Sequence, residues 1–145
     1  MIELNQKEFL KKFLKSQSLA VLATQNKNNI PYTNLIAFSQ TNKEKELIFG
    51  TLRNTSKYLN IIKNNKVSIL FDNRENSVSD FQNAITITAI GTAHEVDKQK
   101  YQINFFDKHP NLINFIKNKD CALMMIKVEK YILFEKFHEK TIIKQ

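Results

Sequence analysis

The sequence contains no tryptophan, two glycines, two prolines and one cysteine. Each scarcity excludes something. A single thiol, Cys121, cannot form an internal disulfide, so a stapled secreted scaffold is ruled out and a reducing compartment is expected. With so little Gly, the turns need another residue that tolerates the left-handed region, and the abundant Asn serves. No apolar run approaches the ~20 residues that a membrane-crossing helix requires. The N-terminal MIELNQKEFLKKF is amphipathic and lacks the apolar core of a signal peptide, so a cytoplasmic protein without membrane association is expected. His94, His109 and His138 lie far apart and form no HxH or HExxH pattern, and CxxC is absent, so no metal site is expected. GxGxxG, GxxxxGK[ST] and GxSxG are absent too, which removes the familiar dinucleotide, triphosphate and serine-hydrolase readings.

What is present is an ordinary globular composition. The 145 residues fit one domain covering 1–145. They are 42% hydrophobic and 25% charged, with eleven Phe to fill an aliphatic and aromatic core. The formal charge of +8 favours anionic partners without choosing among nucleic acid, membrane and a phosphate-bearing ligand. Basic residues interleave with aromatics at Lys11-Lys12-Phe13 and from Lys130-Tyr131 to Lys136-Phe137. A charge-driven nucleic-acid binder needs that mixture. No recognised binding motif accompanies it, so nucleic acid is not the expected partner.

Hydrophobic spacing supplies the elements. Phe9, Leu10, Phe13 and Leu14 form one stripe of a helix over 3–16. Strands are expected at 18–24, at 31–40 with Pro31 at its first position, and at 46–51. A short helix follows, capped by Asn54 or Thr55 and ended by a left-handed turn at Asn64-Asn65. A strand over 66–73, a polar segment over 74–83 and a strand over 83–96 come next. In the last of these Ile85, Ile87 and Ala89 share a face, and Gly91 marks a bulge or a close backbone approach. Two helical pieces over 97–118 are divided by Pro110. CALMMIKV and EKYILFEKFHEK are expected as two final strands, followed by a basic tail. About seven strands joined mostly by short turns imply a mainly β fold with flanking helices, an antiparallel sheet closed into a barrel.

One stretch carries chemistry. FGTLRNTSKYLNIIKNN ends a strand at Thr51 and places Thr55, Ser56 and Lys57 at a helix start. A helix N-terminus presents unpaired N–H groups and partial positive charge, so two hydroxyls and an ammonium there suit phosphate. A plain N-cap with a solvated lysine explains the same pattern.

The ordered run SLAVLAT, PYTNLIAF, ELIFGTLRNTSKYLNIIKNNKVSILFDN and NAITITAIGTAHEV resembles the pyridoxamine 5′-phosphate oxidase-like family of FMN-binding split β-barrels, over roughly residues 4 to 97. The resemblance implies a six- or seven-stranded antiparallel barrel, a homodimer with FMN at the interface, and a flavin-dependent oxidoreductase acting on a small molecule. It puts Thr51, Thr55, Ser56 and Lys57 around the FMN phosphate. It sets Asn34, Leu35 and Ile36 along the flavin ring, through main-chain hydrogen bonds and an apolar bed. Thr86 and Thr88 would reach the cofactor from the neighbouring subunit.

The departures are specific. True oxidases have an Arg and a Lys on the strand matching 32–39, and this chain has no basic residue there. Ser56 stands where their phosphate-binding Arg does, and their C-terminal Trp is absent. Vitamin B6 oxidation is therefore not expected. Arg53 or Arg74 is a candidate to restore the lost charge, although Asp72, Glu75 and Asp80 offer Arg74 local ion pairs. No catalytic residue is identified. A deazaflavin is an alternative cofactor. So is haem, which some split barrels handle, with His94, His109 or His138 as its ligand. A nucleic-acid binder driven by charge is the remaining alternative.

Overall fold

The computed structural model describes residues 2–135 and 139–145. Helix α1 (Ile2–Ser16) precedes three strands: β1 (Leu19–Gln25), β2 (Pro31–Gln40) and β3 (Glu46–Leu52). Helix α2 (Ser56–Lys63), β4 (Lys66–Asp72), a short α3 (Asp80–Asn83) and β5 (Ile85–Val96) follow. Then come α4 (Lys98–Lys108), a 3-10 turn at Pro110–Leu112, α5 (Ile113–Lys117), β6 (Cys121–Glu135) and β7 (Glu139–Lys144). Every ladder is antiparallel. The strand order is β3-β2-β1-β4-β5-β6-β7, and an added β3–β6 pairing closes the first six into a barrel. β7 is an extra strand on β6. The expected mainly β, closed antiparallel barrel is therefore the fold observed.

Closure divides the apolar side chains into two sets. Leu22, Ile36, Phe38, Phe49, Ile69 and Phe71 fill the barrel, joined by Leu10, Phe13 and Leu14 from α1. Phe105 and Ile116, from α4 and α5, cover Ile48, Leu123 and Met125 on the outer wall. Each fully buried aliphatic or Phe side chain in these sets stabilises the fold by about 1.5–3 kcal/mol. Lys108, in the last turn of α4, clasps α1. Its Nζ donates to the Leu14 carbonyl (3.0 Å) and to Gln40 Oε1 (2.9 Å), and sits 3.9 Å over the Phe38 ring. It forms no ion pair among the described residues, and burial lowers its pKa to about 8.

Three expectations need correction. The C-terminal apolar stretch is one strand of 15 residues, not two. β5 is long enough to pair with all of it, and the charged Glu129-Lys130 pair lies beside a register shift opposite Gly91 instead of in a turn. Asn64 ends α2 extended, at φ −142, and not left-handed. Its amide donates to Gln25 Oε1 (2.6 Å) while its Oδ1 accepts from the Lys66 N–H (3.1 Å), and these two bonds hold it extended. The segment after Lys140, read as a tail, belongs to β7. The left-handed positions are Asn29 and Asn76, as Asn-for-Gly turns require, together with Glu44.

No helix among the described residues is long and apolar enough to cross a membrane.

Candidate functional site

The β3–α2 connection follows from local chemistry. Thr55 caps α2: its backbone is extended and its Oγ1 accepts from the Tyr58 N–H (3.4 Å). The buried Thr51 hydroxyl lies 2.7 Å from Thr55 Oγ1, so the strand end and the helix cap are tied directly. The Thr55 hydroxyl donates in turn to the Leu52 carbonyl (2.8 Å). α2 is seated on β1 by Asn60, whose amide donates to Thr24 Oγ1 (3.0 Å). Beyond the cap, the N–H groups of Ser56 and Lys57 have no acceptor among the described residues, and Ser56 is exposed. Lys57 is half-buried. It forms no ion pair and donates no hydrogen bond among those residues, and burial lowers its pKa. A cleft of about 370 Å³ opens beside this turn, lined by Leu52, Arg53, Asn54, Asn118 and Asp120.

Both arginines considered for this site are already committed. Arg53 Nη2 donates to Glu95 Oε2 (2.6 Å) and its Nη1 to the Lys119 carbonyl (2.8 Å). Glu95 also accepts from the Tyr58 hydroxyl at 2.8 Å. The Arg53 hydrogen bond, and then that from Tyr58, hold the Glu95 carboxyl below its ordinary pKa. Arg74 pairs with Asp72 at 3.1 Å, the local partner that its neighbours offered. Asp80 accepts instead from the N–H groups of Glu75 and Ser77.

The barrel wall is split beside this turn. β2 pairs with β3 only at Phe38–Gln40, while its pairing with β1 runs through Pro31–Ala37. Extending the β2–β3 register by two residues would set Thr51 opposite Ile36, but the ladder stops at Phe38–Phe49. Asn34, Leu35 and Ile36 therefore occupy the open edge of β2. Their side chains alternate, as a strand requires. Ile36 is a core residue, Leu35 is 65% exposed, and Asn34 is intermediate. Asn34 Oδ1 is buried without a hydrogen-bond partner among the described residues. Buried acceptors without a partner are uncommon in folded chains.

Thr86 and Thr88 are not brought to the β3–α2 turn within one chain. They precede Glu95 on β5 by nine and seven residues, roughly 30 and 23 Å at the rise of an extended strand. Thr88 does share an outward row with the exposed residue of β2: Leu35 faces Val21, Val21 faces Leu70, and Leu70 faces Thr88.

Other sequence candidates have structural places. Cys121 is buried, and burial raises its pKa. His109 Nε2 lies 2.6 Å from the Phe38 carbonyl, His94 is exposed on β5, and His138 lies outside the described residues. No three His, Cys, Asp or Glu side chains gather around a point among the described residues. Phe13 and Tyr131 point into the core, so neither can stack on a base; Lys136-Phe137 lies outside the described residues. Sequence reasoning missed Tyr58 and Glu95 as neighbours of Arg53. They are 37 residues apart, and only the β5–β6–β3 register brings β5's end to α2.

A family model described as pyridoxamine 5′-phosphate oxidase matches residues 6–130. No curated protein matches the chain significantly. Among solved structures, a heme-binding protein from Mycobacterium smegmatis is similar at TM-score 0.79 and 11% identity, covering 91% of this chain and 55% of that one. A protein from Clostridium acetobutylicum, related to general stress protein 26 of B. subtilis and placed in the pyridoxinephosphate oxidase family, aligns at TM-score 0.76 and 15% identity, over 97% and 94% of the two chains. HutZ, the heme storage protein from Vibrio cholerae, aligns at TM-score 0.74 and 18% identity, over 89% and 93%. The chain thus spans just over half of the M. smegmatis protein and nearly all of the other two. At these identities the likeness is one of fold.

Proposed function

The chain belongs to the pyridoxamine 5′-phosphate oxidase family, and from that membership we propose that it binds FMN and serves as a flavin-dependent oxidoreductase of the cytoplasm, acting on a small molecule. One observation carries the reading. Lys57 is a half-buried cation with no carboxylate partner among the described residues, standing beside two N–H groups at a helix start that are uncommitted among those residues. The donor set fits a phosphate monoester: charge from Lys57, N–H donors from Ser56 and Lys57, and a hydroxyl from Ser56, with the Thr51–Thr55 pair holding the turn in place. The open edge of β2 fits a planar polar ring. Leu35 offers an apolar surface, and Asn34 and the rest of the edge an unpaired backbone. Ile36, held in the core, contributes its backbone alone.

Bound flavin supplies hydride or single-electron transfer, so the chain's part is binding, orientation and the exclusion of water. Arg74, paired with Asp72, is a lesser candidate for the phosphate. The outward row Leu35, Val21, Leu70 and Thr88 supports a homodimer built on this face. That dimer would bring Thr86 and Thr88 of the partner subunit toward β2. Vitamin B6 oxidation is outside the proposal, since the strand beneath the ring carries no basic residue.

The test is an absorbance spectrum from 300 to 500 nm, followed by titration of the dialysed protein. Flavin bands, or FMN uptake at micromolar levels, are expected; failure to bind FMN, FAD or a deazaflavin rejects the reading. Lys57→Ala should weaken FMN more than riboflavin, which lacks the phosphate. Equal losses would show that Lys57 is not a phosphate ligand. The haem reading draws its support from the two heme proteins that share the fold. It predicts a Soret band on haem titration, lost when one of His94, His109 or His138 is replaced.

A further inference from the structure

We propose that Glu95 is a selectivity residue of the α2 anion site, acting as a latch that holds the Arg53 guanidinium off the bound anion. The proposal rests on the phosphate-site reading given above. Arg53 sits two residues before the cap of α2, and its guanidinium is linked through Glu95 to Tyr58, in the first turn of that helix. The group is therefore beside the site. It is nevertheless spent: one arm donates to Glu95 at 2.6 Å and the other to the Lys119 carbonyl at 2.8 Å. Glu95 accepts from two partners, one on each oxygen, which fixes the carboxylate and, through it, the guanidinium. Its charge cancels that of Arg53, so Lys57 is left as the uncommitted cation of the turn.

The consequence is chemical. With the latch shut, the site presents one positive charge to a phosphate. Remove the carboxylate's charge and Arg53 becomes a second cation, with a planar fork suited to phosphate oxygens. The ion pair is partly exposed, at 40% and 34% for the two side chains, so it adds little to stability; its effect is on where the guanidinium points.

The test follows side-chain nitrogen resonances of the full-length chain, with inorganic phosphate as the first probe. In the wild type, phosphate should shift Lys57 and leave Arg53 Nε unmoved. In Glu95→Gln both should move, and phosphate should bind up to about fivefold tighter, the scale of one added exposed charge pair. The gain should vanish in Glu95→Gln/Arg53→Gln. An Arg53 resonance that follows phosphate in the wild type overturns the latch, and that arm needs no variant. So does an Arg53 that ignores phosphate in Glu95→Gln, or a gain that survives without Arg53.

FMN and riboflavin titrations form the second arm. Glu95→Gln should tighten FMN while riboflavin stays within about twofold; parallel changes in both would mark Glu95 as merely structural and overturn its selectivity role. If neither flavin binds wild type or variant while the phosphate pattern holds, the flavin reading fails and the latch stands. If FMN binds and Arg53 already follows phosphate in the wild type, the latch fails and the flavin reading stands.

Discussion

Lys57 is the residue on which the proposed anion site depends most, and its environment makes a pH-dependent prediction. Burial lowers its pKa in the free chain. A phosphate held against the ammonium raises it again, since an opposite charge favours the charged form. Between those two values binding takes up a proton, so FMN affinity should fall as pH rises through that alkaline window. Titrations across pH should show that slope in the wild type and lose it in Lys57→Ala; riboflavin should show none. Gly91 is a second residue with a single physical demand on it. A Cβ there would collide with the Lys127 carbonyl on the facing strand, and backbone cannot step aside as a side chain can. Gly91→Ala should cost about 2 kcal/mol or more in urea unfolding, with the cofactor site untouched. A glycine inside an otherwise regular strand announced a close approach from the sequence. The carbonyl that it meets could be found only from the register of β5 on β6.

At the scale of elements, α2 depends on its cap. Thr55→Ala removes both the hydroxyl that accepts from Tyr58 N–H and the partner of Thr51. It should destabilise the fold by about 1 kcal/mol, read from the urea midpoint, and Thr55→Ser should recover most of that loss. The clasp of α4 on α1 has a testable sign. Lys108 has a pKa of about 8 in the fold against 10.5 as its ordinary value. Above pH 8 the folded chain has shed this proton while the unfolded chain keeps it up to about 10.5. The unfolded state therefore binds more protons, and this group's contribution makes stability rise with pH across that interval. Below pH 8 the cost of the buried charge is present in full. Comparing wild type with Lys108→Met should reveal that slope only in the wild type. Elements like these differ in how legible they are. Pro31 and the Asn-rich turn before it delimit β2 in the sequence. Glu129-Lys130 reads as a break in β6 because charge on an outward face looks like charge in a turn. The Asn64 cap was misread because its partners, Gln25 and Lys66, belong to other elements. The hydroxyls and lysine of the site were visible as a motif; the Arg53–Glu95–Tyr58 group was not, since its members come from a loop, a distant strand and a helix.

At the scale of the whole molecule, the outward row of β2, β1, β4 and β5 is the face on which the proposed dimer would form. Leu35 is 65% exposed and Leu19 53%, on a face that also carries Val21 and Leu70. Leu35→Glu should convert the proposed dimer to a monomer in sedimentation and weaken FMN, while Phe38 and the rest of the barrel interior stay packed. The barrel itself was legible as a count of strands and short turns, but its closure was not, because no local pattern pairs β3 with β6. That seam has a bearing on how the protein is made. Glu46 pairs with Lys127 and Leu52 with Cys121, so the two edges of the wall are separated by long stretches of chain. Contacts between such distant segments close slowly, and during synthesis they wait for the later segment to leave the ribosome. Until β6 emerges, Thr51 has no strand behind it and α2 cannot reach Glu95 through a closed wall. The nascent chain therefore completes the proposed anion site only when most of its length has already been translated.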